Sequence, residues 1–158
     1  MSSSVSKAPT SVDLDCSRTQ IDPRGPRFGA SVTTVVLAAA LILNGTTAGT
    51  VLIAWQTLVF ALGAIVGLQA QPYGVFFRKV IKPRLGPPAE MEDAAPPRFA
   101  QAVGLAFLVV ALVAALLGAT VVAAVAVAFA LAAAFLNAVF AFCLGCEMYL
   151  LGQRLAHR

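Results

Sequence analysis

Two long stretches of the chain carry no charged side chain, one running from Phe28 to Phe77 and the other from Phe99 to Cys146. At a rise of about 1.5 Å per residue, a single helix of either length would far exceed the roughly 30 Å hydrocarbon core of a bilayer. Each stretch must therefore double back once. The first has a turn signal in Asn44-Gly45-Thr46-Thr47-Ala48-Gly49 and the second in Gly118-Ala119-Thr120, residue types that favour chain reversal. The pattern predicts four spans, over residues 28–43, 50–68, 99–117 and 121–142. All four are apolar on every side and lack the polar stripe that a soluble bundle needs.

The few polar positions inside the spans carry expectations of their own. The first span is short, so Thr33 and Thr34 are expected to bond back to their own helix. Gln56 and Asn137 should face protein rather than lipid. Gly63 and Gly67 form a GxxxG pair on the second span, where a small surface would let another backbone approach.

Composition agrees with the pattern. Of the 158 residues, 59% are hydrophobic and 11% charged, with a mean hydropathy of +0.87, which excludes an ordinary soluble domain. Basic residues fall before the first span (Lys7, Arg18, Arg24, Arg27), between the second and third (Arg78, Lys79, Lys82, Arg84, Arg98) and at the end (Arg154, Arg158), with none in either hairpin turn. The positive-inside rule then predicts a multi-pass plasma-membrane protein with the N-terminus, the central segment and the C-terminus in the cytoplasm. Residues 1–20 hold no apolar run of signal-peptide length and read as a disordered cytoplasmic tail, with residues 153–158 as a second tail. No nucleic-acid partner is expected.

Sliding the chain on itself by 71 residues lays Pro26-Arg27-Phe28 on Pro97-Arg98-Phe99, and Leu37 and Ala40-Leu41 on Leu108 and Ala111-Leu112. Each Pro-Arg-Phe stands at the start of a span, where proline loses no hydrogen bond, arginine reaches lipid phosphates and phenylalanine anchors in the interface. The second helices align at an offset near 74, which sets Gln69 and Pro72 opposite Cys143 and Cys146. The expected fold, over residues 21–152, is an all-α membrane protein: four transmembrane helices as two duplicated helical hairpins, related by an axis along the membrane normal. Residues 73–82 mix apolar and basic side chains at helical spacing and predict a short cytoplasmic interfacial helix. Residues 83–97 form a proline-rich acidic connector.

Candidate chemistry is confined to Cys143-Leu144-Gly145-Cys146-Glu147 at the end of the fourth span. Two cysteines three apart share a helical face, so they can form a disulfide, exchange electrons or sulfur with a partner, supply part of a zinc or copper site, or lie inert. Further metal ligands would have to come from Glu147, His157 or Cys16, none at diagnostic spacing. If the fourth span runs on through the pair, the thiols sit near a helix C-terminus beside the Glu147 carboxylate, and both neighbours disfavour the thiolate. A helix break near Gly145, or packing against Arg78 and Lys79, would reverse that. A permanent structural disulfide is not expected in a reducing cytoplasm.

With Ile21-Asp22-Pro23-Arg24-Gly25-Pro26-Arg27-Phe28, Pro83-Arg84-Leu85-Gly86-Pro87-Pro88, Pro96-Pro97-Arg98-Phe99-Ala100-Gln101 and Cys143-Leu144-Gly145-Cys146-Glu147 in view, the chain resembles an uncharacterised domain-of-unknown-function family of small actinobacterial membrane proteins. The likeness covers residues from about Gln20 to Leu151. It implies a membrane protein from a high-GC bacterium, with no catalytic residue or cofactor to transfer, and an association with thioredoxin-like or sulfurtransferase partners. The leading expectation is a membrane partner with a cytoplasmic dithiol, Cys143 and Cys146, modulated by Glu147. The alternatives are an assembly subunit without chemistry, as a homo-oligomer or in a larger complex, and a metal-binding membrane protein.

Overall fold

A computed structural model describes residues 20–88 and 90–156; all but the last residue of the expected N-terminal tail, with Cys16, and His157 and Arg158 lie outside these described residues. The chain folds as β1 (Gln20–Ile21), α1 (Arg24–Ile42), α2 (Thr47–Ala61) prolonged by a π-helical turn at Leu62–Val66, and α3 (Pro72–Phe76). A second π-helical turn, Phe77–Ile81, carries α3 into α4 (Lys82–Leu85). After β2 (Glu92–Asp93) come α5 (Ala95–Leu116), α6 (Thr120–Phe140) and α7 (Leu144–Ala156).

Four helices, Arg24–Ile42, Thr47–Val66, Ala95–Leu116 and Thr120–Phe140, are long and apolar enough to cross a membrane. Between 17% and 33% of each apolar window is buried inside the protein, so most of the apolar surface faces outward and is matched by lipid rather than by water. Ile42 at 83% exposure and Leu117 at 79% illustrate that outer surface. The chain is thus an all-α, multi-pass membrane protein.

The first and third spans begin at Arg24 and Ala95, ahead of the Phe28 and Phe99 expected from hydropathy. Prolines near each start remove only backbone donors that a helix does not use internally. Capping comes from carboxylates at equivalent places: Asp22 Oδ1 accepts from the Arg24 N–H at 3.1 Å, and Asp93 Oδ1 from the Ala95 N–H at 2.9 Å. Arg24 also holds Asp22 through its guanidinium and donates to the Gly86 carbonyl at 3.0 Å. The Arg24 partnership outweighs burial and keeps the Asp22 carboxyl below its ordinary pKa. Its contribution is therefore complete above the unfolded-chain value and is lost as pH falls through the lowered one.

The core lies between helices rich in alanine. Leu37, Ala40, Ile53, Leu108, Ala111, Val127 and Ala130 pack there, and the short alanines let the helix axes approach. Helix α1 packs on α2 and α6, and α5 packs on α6 and α2. Exchanging α1 with α5 and α2 with α6 leaves this set of neighbours unchanged, as duplicated hairpins require. The two short strands pair antiparallel, Gln20 with Asp93 and Ile21 with Glu92. Ile21 and Glu92 are themselves equivalent at the repeat offset of 71, so the pseudo-two-fold axis passes between them.

The repeat includes a third helix. Helix α3 packs on α1 as α7 packs on α5. The rings of Phe28 and Phe77 lie 5.9 Å apart, and those of Phe99 and Tyr149, the corresponding pair, 5.7 Å apart. The residues preceding the third helices are Gln71 and Cys143, an offset of 72 instead of 74. Gln69 and Pro72 are therefore not the counterparts of the cysteines.

The two halves differ in how the third helix is held. Gly67 has φ 123° and turns the chain back, so it ends the second span rather than packing as half of a GxxxG pair. Gly63 does meet a neighbour, the side chain of Gln101. The reversal sends Gln71 inward to donate to Gln101 Oε1 at 3.3 Å, and brings the half-buried Tyr73 against the second span. The Tyr73 hydroxyl donates to Gln56 Oε1 at 3.0 Å and accepts from Trp55 Nε1 at 3.0 Å, while Gln56 Nε2 donates to Thr33 Oγ1 at 2.9 Å. Gln56, at 0% exposure, thus faces protein as expected, and Asn137 is half-buried. Thr34 bonds back to Ala30 at 2.8 Å, but Thr33 serves Gln56 instead. Each such bond between membrane helices contributes about 0.6–2 kcal/mol.

Candidate functional site

Helix α6 ends at Phe140 because Ala141 adopts φ 54°, ψ 24°, a left-handed conformation that costs a non-glycine residue about 1–2 kcal/mol. The amide of Phe142 returns to the Leu136 carbonyl at 3.3 Å, which closes the old helix. The chain then starts a new one at Leu144. The cysteines therefore stand at the beginning of α7, not at the end of the fourth span, and the break lies at Ala141 rather than Gly145. This overturns the expected electrostatics, since the positive end of a helix dipole now faces the sulfurs.

Cys143 occupies the capping position. Its sulfur accepts from the Cys146 N–H at 3.3 Å, and its carbonyl accepts from the Glu147 N–H at 3.0 Å. This is the arrangement in which a Ser or Asp oxygen normally serves the third amide of a helix. Cys143 and Cys146 are joined as a disulfide with a Cα–Cα distance of 5.2 Å. Glu147 is exposed in the first turn of α7.

Gly145, between the cysteines, sets the seat of α7. A β-carbon there would lie 2.5 Å from the Ala100 Cα and 2.6 Å from its Cβ, so only glycine lets α7 rest on α5 at that point. Tyr149, one turn on, meets Phe99. Cys143, Gly145, Cys146 and Tyr149 are the half-buried residues of this stretch, and their spacing puts them on one side of the helix. The pair thus lies along the edge of the α5–α7 contact, recessed to the level of the second turn of α5.

Arg78 and Lys79 do not join the pair. They belong to the segment that packs on α1, and Arg78 donates to the Gln69 carbonyl at 2.6 Å. Arg98, at the start of α5, donates to the Ala64 and Ile65 carbonyls at 2.9 and 2.8 Å and so caps the second span. Among the described residues, no group of three or more His, Cys, Asp or Glu side chains comes together. Sequence reasoning missed the Thr33–Gln56–Tyr73–Trp55 seam, since Thr33 was expected to bond back to its own helix and Tyr73 reaches Gln56 from the helix that follows the second span. Burial pushes the Tyr73 phenol up, partly offset by the Trp55 N–H, so it stays protonated and remains a donor.

The chain matches the family described as a domain of unknown function, DUF4395, over residues 21–154. The chain belongs to this family. The match takes in all four spans, α3 and both cysteines, and stops two residues short of the end of α7. Comparison with curated proteins finds no match, and comparison with solved structures finds none.

Proposed function

We propose that this DUF4395 chain is a membrane-embedded thiol–disulfide exchange protein of the plasma membrane. Its Cys143–Cys146 pair would trade two electrons with the disulfide of a thioredoxin-like protein on the cytoplasmic side. The observation that carries the reading is the placement of the pair at the start of α7, with Cys143 as the capping residue. A helix N-terminus favours a thiolate and thereby supports exchange at neutral pH. The basic residues at the same end of the bundle support the cytoplasmic orientation, because positively charged segments are retained inside.

The test uses full-length protein in detergent, reduced, freed of reductant and mixed with an oxidised thioredoxin-like protein. Two electrons per chain should pass, leaving the Cys143–Cys146 disulfide and the partner dithiol, and the Cys143→Ser/Cys146→Ser variant should transfer none. Identical null exchange by wild type and double variant would overturn the reading and leave a subunit without chemistry.

A further inference from the structure

We infer that the two cysteines have unequal roles: Cys143 attacks and Cys146 resolves. The inference rests on the exchange reading above and adds an order to it. Cys143 precedes the first residue of α7, and its sulfur already receives the Cys146 amide at 3.3 Å. A thiolate on Cys143 keeps that hydrogen bond and gains from the other unpaired amides of the first turn. Cys146 lies inside the turn, with its own N–H committed to Cys143 and the Glu147 carboxylate next in the chain. A negative charge on Cys146 therefore gains less.

The seat of α7 fits the same order. Gly145 brings the first turn down on Ala100, so Cys146 is carried on the turn that is pressed against α5, while Cys143, equally half-buried, stands just ahead of that turn. Helix α7 is held there by the Gly145–Ala100 and Tyr149–Phe99 contacts. Among the described residues, none of its side chains hydrogen-bonds to a span, whereas the equivalent α3 is tied in through Tyr73. An incoming protein disulfide thus meets Cys143 at the edge of a contact without a polar lock to break.

The step balances with a protein disulfide as the oxidant. The Cys143 thiolate attacks one partner sulfur, forming a mixed disulfide and releasing the other partner sulfur as a thiolate that takes up a proton. Cys146 then loses its proton and attacks the Cys143 sulfur. The Cys143–Cys146 bond forms, the mixed disulfide breaks, and the second partner thiolate leaves. The chain has lost two electrons and the partner has gained them.

The order is read in full-length protein with Cys16→Ala, adding Cys146→Ser or Cys143→Ser, against the aromatic disulfide 5,5′-dithiobis(2-nitrobenzoate) across a range of pH. Cys143, alone in the Cys146→Ser protein, should react roughly tenfold faster than Cys146 alone, and its rate should climb to its plateau at a lower pH than that of Cys146. Equal rates, or a faster Cys146, would overturn the order while leaving exchange itself intact. Failure of both thiols to react faster than in denatured protein would overturn the exchange reading as well. Limiting alkylation of the reduced Cys16→Ala protein, with mass-spectrometric localisation, reads the same order without either serine and should find Cys143 modified first.

Discussion

Replacing Gly49 with valine should be the most damaging single change to the bundle. Gly49 is buried in the first turn of α2, beneath the cap in which the Thr46 hydroxyl accepts its N–H at 3.1 Å. A β-carbon at this point would run into the Leu43 carbonyl oxygen, with the carbonyl carbon at 2.8 Å and the Ala40 oxygen at 3.3 Å. Those obstacles are backbone, and they belong to the last turn of α1 and the residue that caps it, so nothing can rotate aside. The hairpin must open to admit the side chain. Overpacking of a core commonly costs about 1–3 kcal/mol, and an obstacle made of backbone puts this case at the top of that range, about 3 kcal/mol. Unfolding in detergent followed by circular dichroism should show the loss, while the same valine at exposed Ala48 should be tolerated.

Valine at Gly145 should have the opposite profile. The obstacle is again backbone, the Ala100 Cα at 2.5 Å, but the helix that must move is peripheral. Helix α7 contributes no residue to the buried core formed by α1, α2, α5 and α6. The spans should therefore keep their stability, and α7 should lift from α5, taking the dithiol with it. A displacement of about 1 Å can cost about 100-fold in a reaction that depends on alignment, so disulfide exchange should slow by that order. Exchange kinetics and thermal unfolding measured on the same preparation separate the two effects. Slowed exchange with unchanged unfolding is the expected pair of results.

These two glycines show where the sequence was informative. Gly49 stands in a turn that charge spacing alone demanded, because an uncharged stretch running from Phe28 to Phe77 cannot cross a bilayer once. The Pro-Arg-Phe pair likewise makes the duplication legible in the sequence. What hydropathy could not see was how each repeat ends. Phe135 to Leu144 is uniformly apolar apart from Asn137 and Cys143, and nothing in it announces the left-handed Ala141 that separates α6 from α7. A glycine would have marked that stop, but alanine does not.

The same limit applies to the polar interior. Gln56 was legible as a side chain needing a partner, but Tyr73 lay in a stretch that reads as an interfacial helix. Its inward reach depends on the reversal at Gly67, whose role as half of a GxxxG pair was the simpler reading. The dithiol was found by its spacing, whereas its electrostatic setting reversed once the helix boundary moved by a few residues. A local sequence feature names the chemistry, and a nonlocal backbone decision sets its sign.

In the proposed topology the chain crosses the bilayer four times, with both hairpin turns on one side and the basic, cysteine-bearing end on the other. Single cysteines introduced by Ala48→Cys, Ala119→Cys or Arg84→Cys, after replacing Cys16, Cys143 and Cys146 with alanine, can be probed with a membrane-impermeant maleimide in right-side-out and inverted vesicles. The two turn positions should label only from outside and the Arg84 position only from inside. Labelling of a turn position and the Arg84 position from the same side would contradict the account.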